Sequence, residues 1–183
     1  MKRRILSLLL CGVMLLSLCM PGLALEPGQE EPPEPEAAPQ TELDWAICIY
    51  MCGSDLEPRQ SSATKDIVEM IMADIPKNVQ VLVMTGGSKS WNPEGYPEQL
   101  VTLGYLTEGT YLTPSNEVTQ LYEITDDGMK HIKNYGGNLD MGNESTARLF
   151  LQDCMTLAPA ERMMVSFWNH GAGPFLGVAL EPV

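Results

Sequence analysis

Trp45-Ala-Ile-Cys-Ile-Tyr-Met-Cys52 is an almost unbroken apolar run that stops at Gly53. A strand with one wet face alternates apolar and polar residues. A strand covered on both faces does not, and parallel sheets carry helices on both faces. The stretch therefore predicts a central strand of an α/β sheet. Downstream, Val79-Gln-Val-Leu-Val-Met-Thr85 repeats the pattern and closes on Gly86-Gly87. Between the two, a helix is expected from about Ala63 to Asp74, with Ile67, Met70 and Ile71 on one face and Lys65, Asp66 and Glu69 opposite. Strand, helix and strand within about 40 residues make a crossover unit.

A third buried-type run, Met163-Met-Val-Ser-Phe-Trp-Asn-His170, delivers a polar pair at its carboxyl end. Ahead of it, Asn143 is placed to cap a helix whose apolar residues Ala147, Phe150, Leu151, Cys154 and Ala158 form one stripe, with Pro159 ending it. The segment from Trp91 to Asp127 is different. Gln99–Leu106, Gly109–Leu112 and Val118–Ile124 read as short strands of a small antiparallel insertion.

Two zones precede this domain. Residues 1–24 read as a secretory signal peptide: basic Met1-Lys-Arg-Arg4, an apolar run from Ile5 to Met20, then Pro21-Gly-Leu-Ala24 with small residues for cleavage. The run is about 16 residues, short of the roughly 20 that span a bilayer, so cleavage rather than anchoring is expected. Residues 25–43, rich in Pro and Glu, have too little apolar content to order and read as an extended linker; 44–183 is the folded domain. With the leader go Lys2, Arg3 and Arg4, leaving eight basic residues against 24 acidic ones. Such a surface repels phosphate backbones and anionic headgroups. Nucleic-acid binding and a stable membrane span after cleavage are not expected, and a secreted, extracellular product is. Cationic peptides would be attracted, although acidity also serves plain solubility.

The polar ends of the strands are the candidate site, because ligands of open α/β sheets bind beyond the carboxyl ends of the strands. Three such ends carry polar or glycine-rich turns: Cys52-Gly-Ser-Asp55, Thr85-Gly-Gly-Ser-Lys89 and Asn169-His-Gly-Ala-Gly173. His170 is the leading residue. An imidazole at a strand end serves as general base or acid near neutral pH, and the Gly171 amide beside it suits a developing oxyanion. A lone His-Gly pair also fits a histidine that merely caps the sheet. His131, amid Lys130 and Lys133, reads as a solvated surface residue. Two distant histidines without Cys-x-x-Cys or His-Glu-x-x-His argue against zinc, and no Gly-x-Ser-x-Gly elbow is present. Of five cysteines, Cys11 and Cys19 fall in the leader. Cys48 and Cys52 are roughly 13 Å apart along a strand at about 3.3 Å per residue, too far for a disulfide. Cys52, at a strand end, is the one cysteine that could approach His170. A cysteine in an apolar run without a nearby cation is expected to stay inert.

Five segments together resemble the clostripain family of clan CD cysteine peptidases. Ile49-Tyr-Met-Cys-Gly-Ser-Asp-Leu-Glu57 is similar to the family's opening YMxGSDLE. Ala63–Met70 matches its first helix, and Val83–Trp91 and Asn138–Asn143 follow in order. Phe167-Trp-Asn-His-Gly-Ala-Gly173 is similar to its histidine strand, where WDHG or a variant is common. The match covers nearly all of Asp44–Gly173. It implies a caspase-like fold, a mostly parallel sheet flanked by helices, and hydrolysis of peptide bonds after Arg or Lys. It also implies that His170 is the catalytic histidine and that the Gly171 amide helps bind the oxyanion. In related caspases the cysteine follows the histidine by about 50 residues, whereas no cysteine follows His170 here. The expectation is thus the histidine side of a peptidase, with the final strands and the nucleophile missing and the Cys-bearing half as partner. No cofactor is read from the residues; the resemblance admits calcium, which some family members need. The rival reading is a catalytically inactive caspase-like extracellular binding module.

Overall fold

A computed structural model describes residues 43–171 of the chain. The expected signal peptide, nearly all of the linker and the last residues of the domain lie outside them.

The first run forms β1 (Leu43–Ser54), the second β2 (Val79–Ser88) and the third β5 (Ala160–Trp168). β1 pairs in parallel with β2 on one side, Ile49 opposite Val83, and with β5 on the other, Ile49 opposite Ser166. This parallel trio is extended by two antiparallel strands, β3 (Gln120–Thr125) and β4 (Gly128–Asn134), giving the order β4-β3-β2-β1-β5. The fold is α/β with a five-stranded mixed sheet.

Alternate residues of β1 enter different layers, which is why its sequence is apolar throughout. Cys48, Tyr50 and Cys52 pack with Leu82, Met84, Leu121 and with Phe150 and Cys154 of a long helix. Met51, with Ile47 and Ile49 beside it, packs with Ala63, Ile67, Val68 and Ile71 on the opposite face. Those last four belong to α2 (Ser62–Ile71), and the long helix is α4 (Glu144–Leu157). Asn143 caps α4, its side chain accepting from the Ser145 amide at 2.9 Å, and the predicted stripe from Ala147 to Ala158 is the face that α4 buries. A short helix, α1 (Leu56–Gln60), links β1 to α2.

The stretch read as an insertion is arranged otherwise. Gln99–Leu106, expected as a strand, forms none and instead begins inside a helix, α3 (Tyr96–Thr102). Pro97 fits its first turn, where no amide donor is needed, and Glu98 there complements the helix dipole. Gly109–Leu112 forms no strand; the Thr110 carbonyl accepts from the Met129 amide at 2.7 Å. Of the three expected strands only the last forms, as β3, and its partner β4 comes from a polar segment that the sequence reading passed over. The antiparallel pair is the continuation of the main sheet, not a separate lobe.

β5 also departs from expectation. Its sequence reads as a covered strand, yet it lies at the edge with Met163, Met164 and Phe167 exposed to 37%, 46% and 45%. Among the described residues, no helix is long and apolar enough to cross a membrane.

Candidate active site

The site lies where β1, β2 and β5 end, and the three predicted turns meet there. β1 is also the point at which strand order reverses, the usual place for a crevice in such sheets. Gly53 is required by this convergence, since a Cβ on it would stand 2.8 Å from the Ser88 Cβ of the β2 end. Ser54 follows with φ of 43°, a left-handed turn that swings Asp55 toward the end of β5. Asn169 ties the third turn back, its Nδ2 donating to the Cys52 carbonyl at 3.2 Å. The Asn169 Oδ1 accepts from the His170 amide at 2.5 Å. The backbone under the imidazole is therefore held to β1.

The ring is held as well. His170 Nε2 lies 2.6 Å from Asp55 Oδ1, and the other carboxylate oxygen accepts from Arg59 at 3.0 Å. The side chains of His170 and Asp55 are 52% and 34% exposed, so the pair sits at the rim of the sheet, open to solvent and turned away from the core. The hydrogen bond from His170, aided by the Arg59 charge, holds the Asp55 carboxyl below the usual carboxylate range. Gly171 follows with φ of +67°, and no described residue lies within 4 Å of where a Cβ would stand.

Asp55 was not singled out in the sequence. It is 115 residues from His170, and no local pattern joins them; only the parallel pairing of β1 with β5 does. Glu57 is a second residue that sequence reading missed. It is fully buried and accepts from the Thr64 amide at 2.9 Å, the Thr64 hydroxyl at 2.6 Å and the Asn92 amide at 2.7 Å. Its carboxylate caps the first turn of α2, a task that Ser61 does not perform. Glu57 thereby anchors α1 and the Ser54–Asp55 turn to α2 and to the loop after β2.

The cysteines are elsewhere. Cys48, Cys52 and Cys154 are all fully buried and none is in a disulfide. Cys48 does have a sulfur neighbour, but it is Cys154 across the layer. Their mutual hydrogen bond lowers Cys48 and raises Cys154, while burial opposes ionisation of either. Cys52 is next to Asn169 through its backbone, while the residue packs in the core on the α4 side. None of the three resembles an activated nucleophile, which needs a cationic, accessible setting. Among the described residues no three His, Cys, Asp or Glu side chains converge to hold a metal ion.

On the α2 side of the β5 edge, Trp168 Nε1 donates to Asp66 at 2.6 Å. A groove there is lined by Met51, Asp66, Glu69, Met70 and Trp168.

No curated protein matches the chain. Similar solved structures include a clostripain from Bacteroides thetaiotaomicron in complex with a peptide inhibitor, at 14% identity and TM-score 0.46 over 75% of this chain and 98% of that one. A cysteine protease of B. fragilis aligns at 14% identity and TM-score 0.47, over 75% and 97%. An inactive zymogen C11 protease from Parabacteroides distasonis aligns at 19% and TM-score 0.48, over 73% of this chain; the alignment spans 32% of that longer protein. The decisive match is at the level of sequence families. The model of the clostripain family covers residues 49–175, from the middle of β1 through the His170 turn. With more than two thirds of its length inside that match, the chain belongs to the clostripain family.

Proposed function

We propose that this chain is the histidine-bearing side of an exported cysteine endopeptidase that cleaves after Arg or Lys, with His170 as its general base and the Gly171 amide as an oxyanion donor. The observation that carries the reading is the His170 imidazole. It stands at the carboxyl end of β5, half-exposed and fixed by Asp55 at 2.6 Å, inside the segment that the family match covers. A histidine that merely finished the sheet would have its ring packed inward, whereas this ring is half-exposed at the strand end.

The nucleophile in this reading is a thiolate from a strand that docks on β5. Two features favour that over the cysteines present. Cys48, Cys52 and Cys154 are buried, and among the described residues β5 is an edge strand with apolar side chains on it. Preference for a basic side chain rests on family membership and on the acidity of the chain, which concentrates cationic peptides. Export rests on the basic–apolar–small pattern of residues 1–24.

The test is hydrolysis of Arg- and Lys-terminated fluorogenic peptides by the 183-residue chain, alone and together with the polypeptide encoded after codon 183. The expected result is thiol-sensitive hydrolysis only in the second case. Thiol-sensitive hydrolysis by the chain alone would overturn the docked-strand part and promote Cys52. No hydrolysis in either case would leave the inactive binding module as the better reading.

A further inference from the structure

We propose that Asp55 is the positioning residue for His170: its carboxylate fixes the ring proton on Nε2 and so presents Nδ1 as the basic nitrogen to the cleft. The inference rests on the reading of His170 as the catalytic imidazole and adds a partner that the His–Cys pair alone does not require.

An ionised carboxylate only accepts hydrogen bonds. A ring nitrogen 2.6 Å from Asp55 Oδ1 must therefore carry the proton, and in a neutral imidazole the other nitrogen is then free to accept one. Two further contacts and one support beneath them favour a fixed carboxylate. Arg59 meets Oδ2 at 3.0 Å, one helical turn on, and its charge favours the ionised carboxylate. Ser54 Oγ lies 3.5 Å from both Asp55 Oδ1 and Asn169 Oδ1, between the two turns, and can donate its one proton to either. Beneath them the buried Glu57 locks α1 to α2, so the residue that carries the carboxylate does not drift.

The catalytic consequence is a single proton transfer. Nδ1 takes the thiol proton, giving thiolate and imidazolium; Asp55 takes no proton and keeps its negative charge beside the new positive one. The simpler alternative is an ordinary exposed ion pair, which contributes little to stability and nothing to chemistry. The two differ in what happens to the ring when the carboxylate is removed.

The test has two readouts. The first is the ¹⁵N–¹H signal of the His170 ring in the full chain, assigned against His131→Gln. A ring N–H bonded to a carboxylate is shielded from solvent exchange and visible near neutral pH. It should be present in the native chain and lost in Asp55→Ala. The second is kinetics in the peptidase assembled with its downstream polypeptide. Asp55→Ala and Asp55→Asn should each lower kcat by about 10- to 100-fold with KM unchanged, the effect of a misplaced catalytic group. An N–H signal unaltered by Asp55→Ala, or full kcat in both variants while His170→Ala is inactive, would overturn the positioning role and leave the proposed function standing. Full activity in His170→Ala would instead remove the proposed function, and this inference with it.

Discussion

The two edges of the sheet are built from opposite materials. β4 presents Lys130 and Lys133, tied to Glu123 at 3.1 Å and Asp153 at 2.7 Å, and its pairing with β3 is interrupted by a register shift at Leu121/Tyr122. Charges and a bulge on an edge strand discourage further pairing, so this side is closed. β5 carries its charges, Glu161 and Arg162, only at its start and presents Met163, Met164 and Phe167 along the rest, with no register shift recorded in its pairing to β1. Each edge also carries one of the chain's two histidines. On β4, His131 Nε2 meets a neutral amide, Asn134 Oδ1, at 2.8 Å; beside β5, His170 Nε2 meets a carboxylate at 2.6 Å. The residue type is the same on both sides. Its neighbours differ: a neutral amide engages one ring and an ionised carboxylate the other.

The strongest way to break this contrast is to remove what holds the β5 side in shape. Glu57→Ala strips the partner from two backbone amides and one of two partners from the Thr64 hydroxyl, and no such buried carboxylate supports the β4 edge among the described residues. The expected loss is about 3 kcal/mol of stability, checked by denaturant unfolding. A loss below about 0.5 kcal/mol, the level of a surface change, would show that Glu57 is not the anchor. A smaller effect is expected at the edges themselves. Met164→Lys should raise the concentration at which the 183-residue chain self-associates by about tenfold, the equivalent of roughly 1.4 kcal/mol of apolar burial. The reciprocal change Lys130→Met, read by the same light-scattering titration, should lower that concentration. If both variants associate like the native chain, the edges are not different in the way described.

Much of the fold is legible in the residues because parallel strands announce themselves by continuous apolar runs and helices by period. β1, β2 and α2 follow from the Trp45–Cys52 and Val79–Thr85 runs and from the Ile67/Met70/Ile71 spacing, and α4 from Asn143 and its stripe. The failures have equally local causes. Tyr96-Pro-Glu-Gln carries a helix-start signature that an adjacent apolar cluster, Leu100 to Leu106, obscures. β4 escapes notice because a guarded edge strand is polar by necessity. β5 reads as covered because its sequence suits cover, although within the described residues nothing lies on its outer side. At the candidate site, His170 and Gly171 were visible as a motif. Asp55 and Glu57 lay in plain sight in Gly53-Ser-Asp-Leu-Glu57, but a turn of that composition only says "turn". Their partners at His170, Thr64 and Asn92 are set by tertiary packing that spacing does not encode.

The proposed function has the histidine beside β5 doing chemistry and the histidine on β4 doing none. The direct measurement is kcat/KM on an Arg- or Lys-terminated peptide in the active assembly of that proposal, comparing His170→Ala with His131→Ala. The account predicts a loss of about 10²- to 10⁴-fold for the first, the range for a general base, and less than about twofold for the second. Equal losses, or an active His170→Ala, would contradict it.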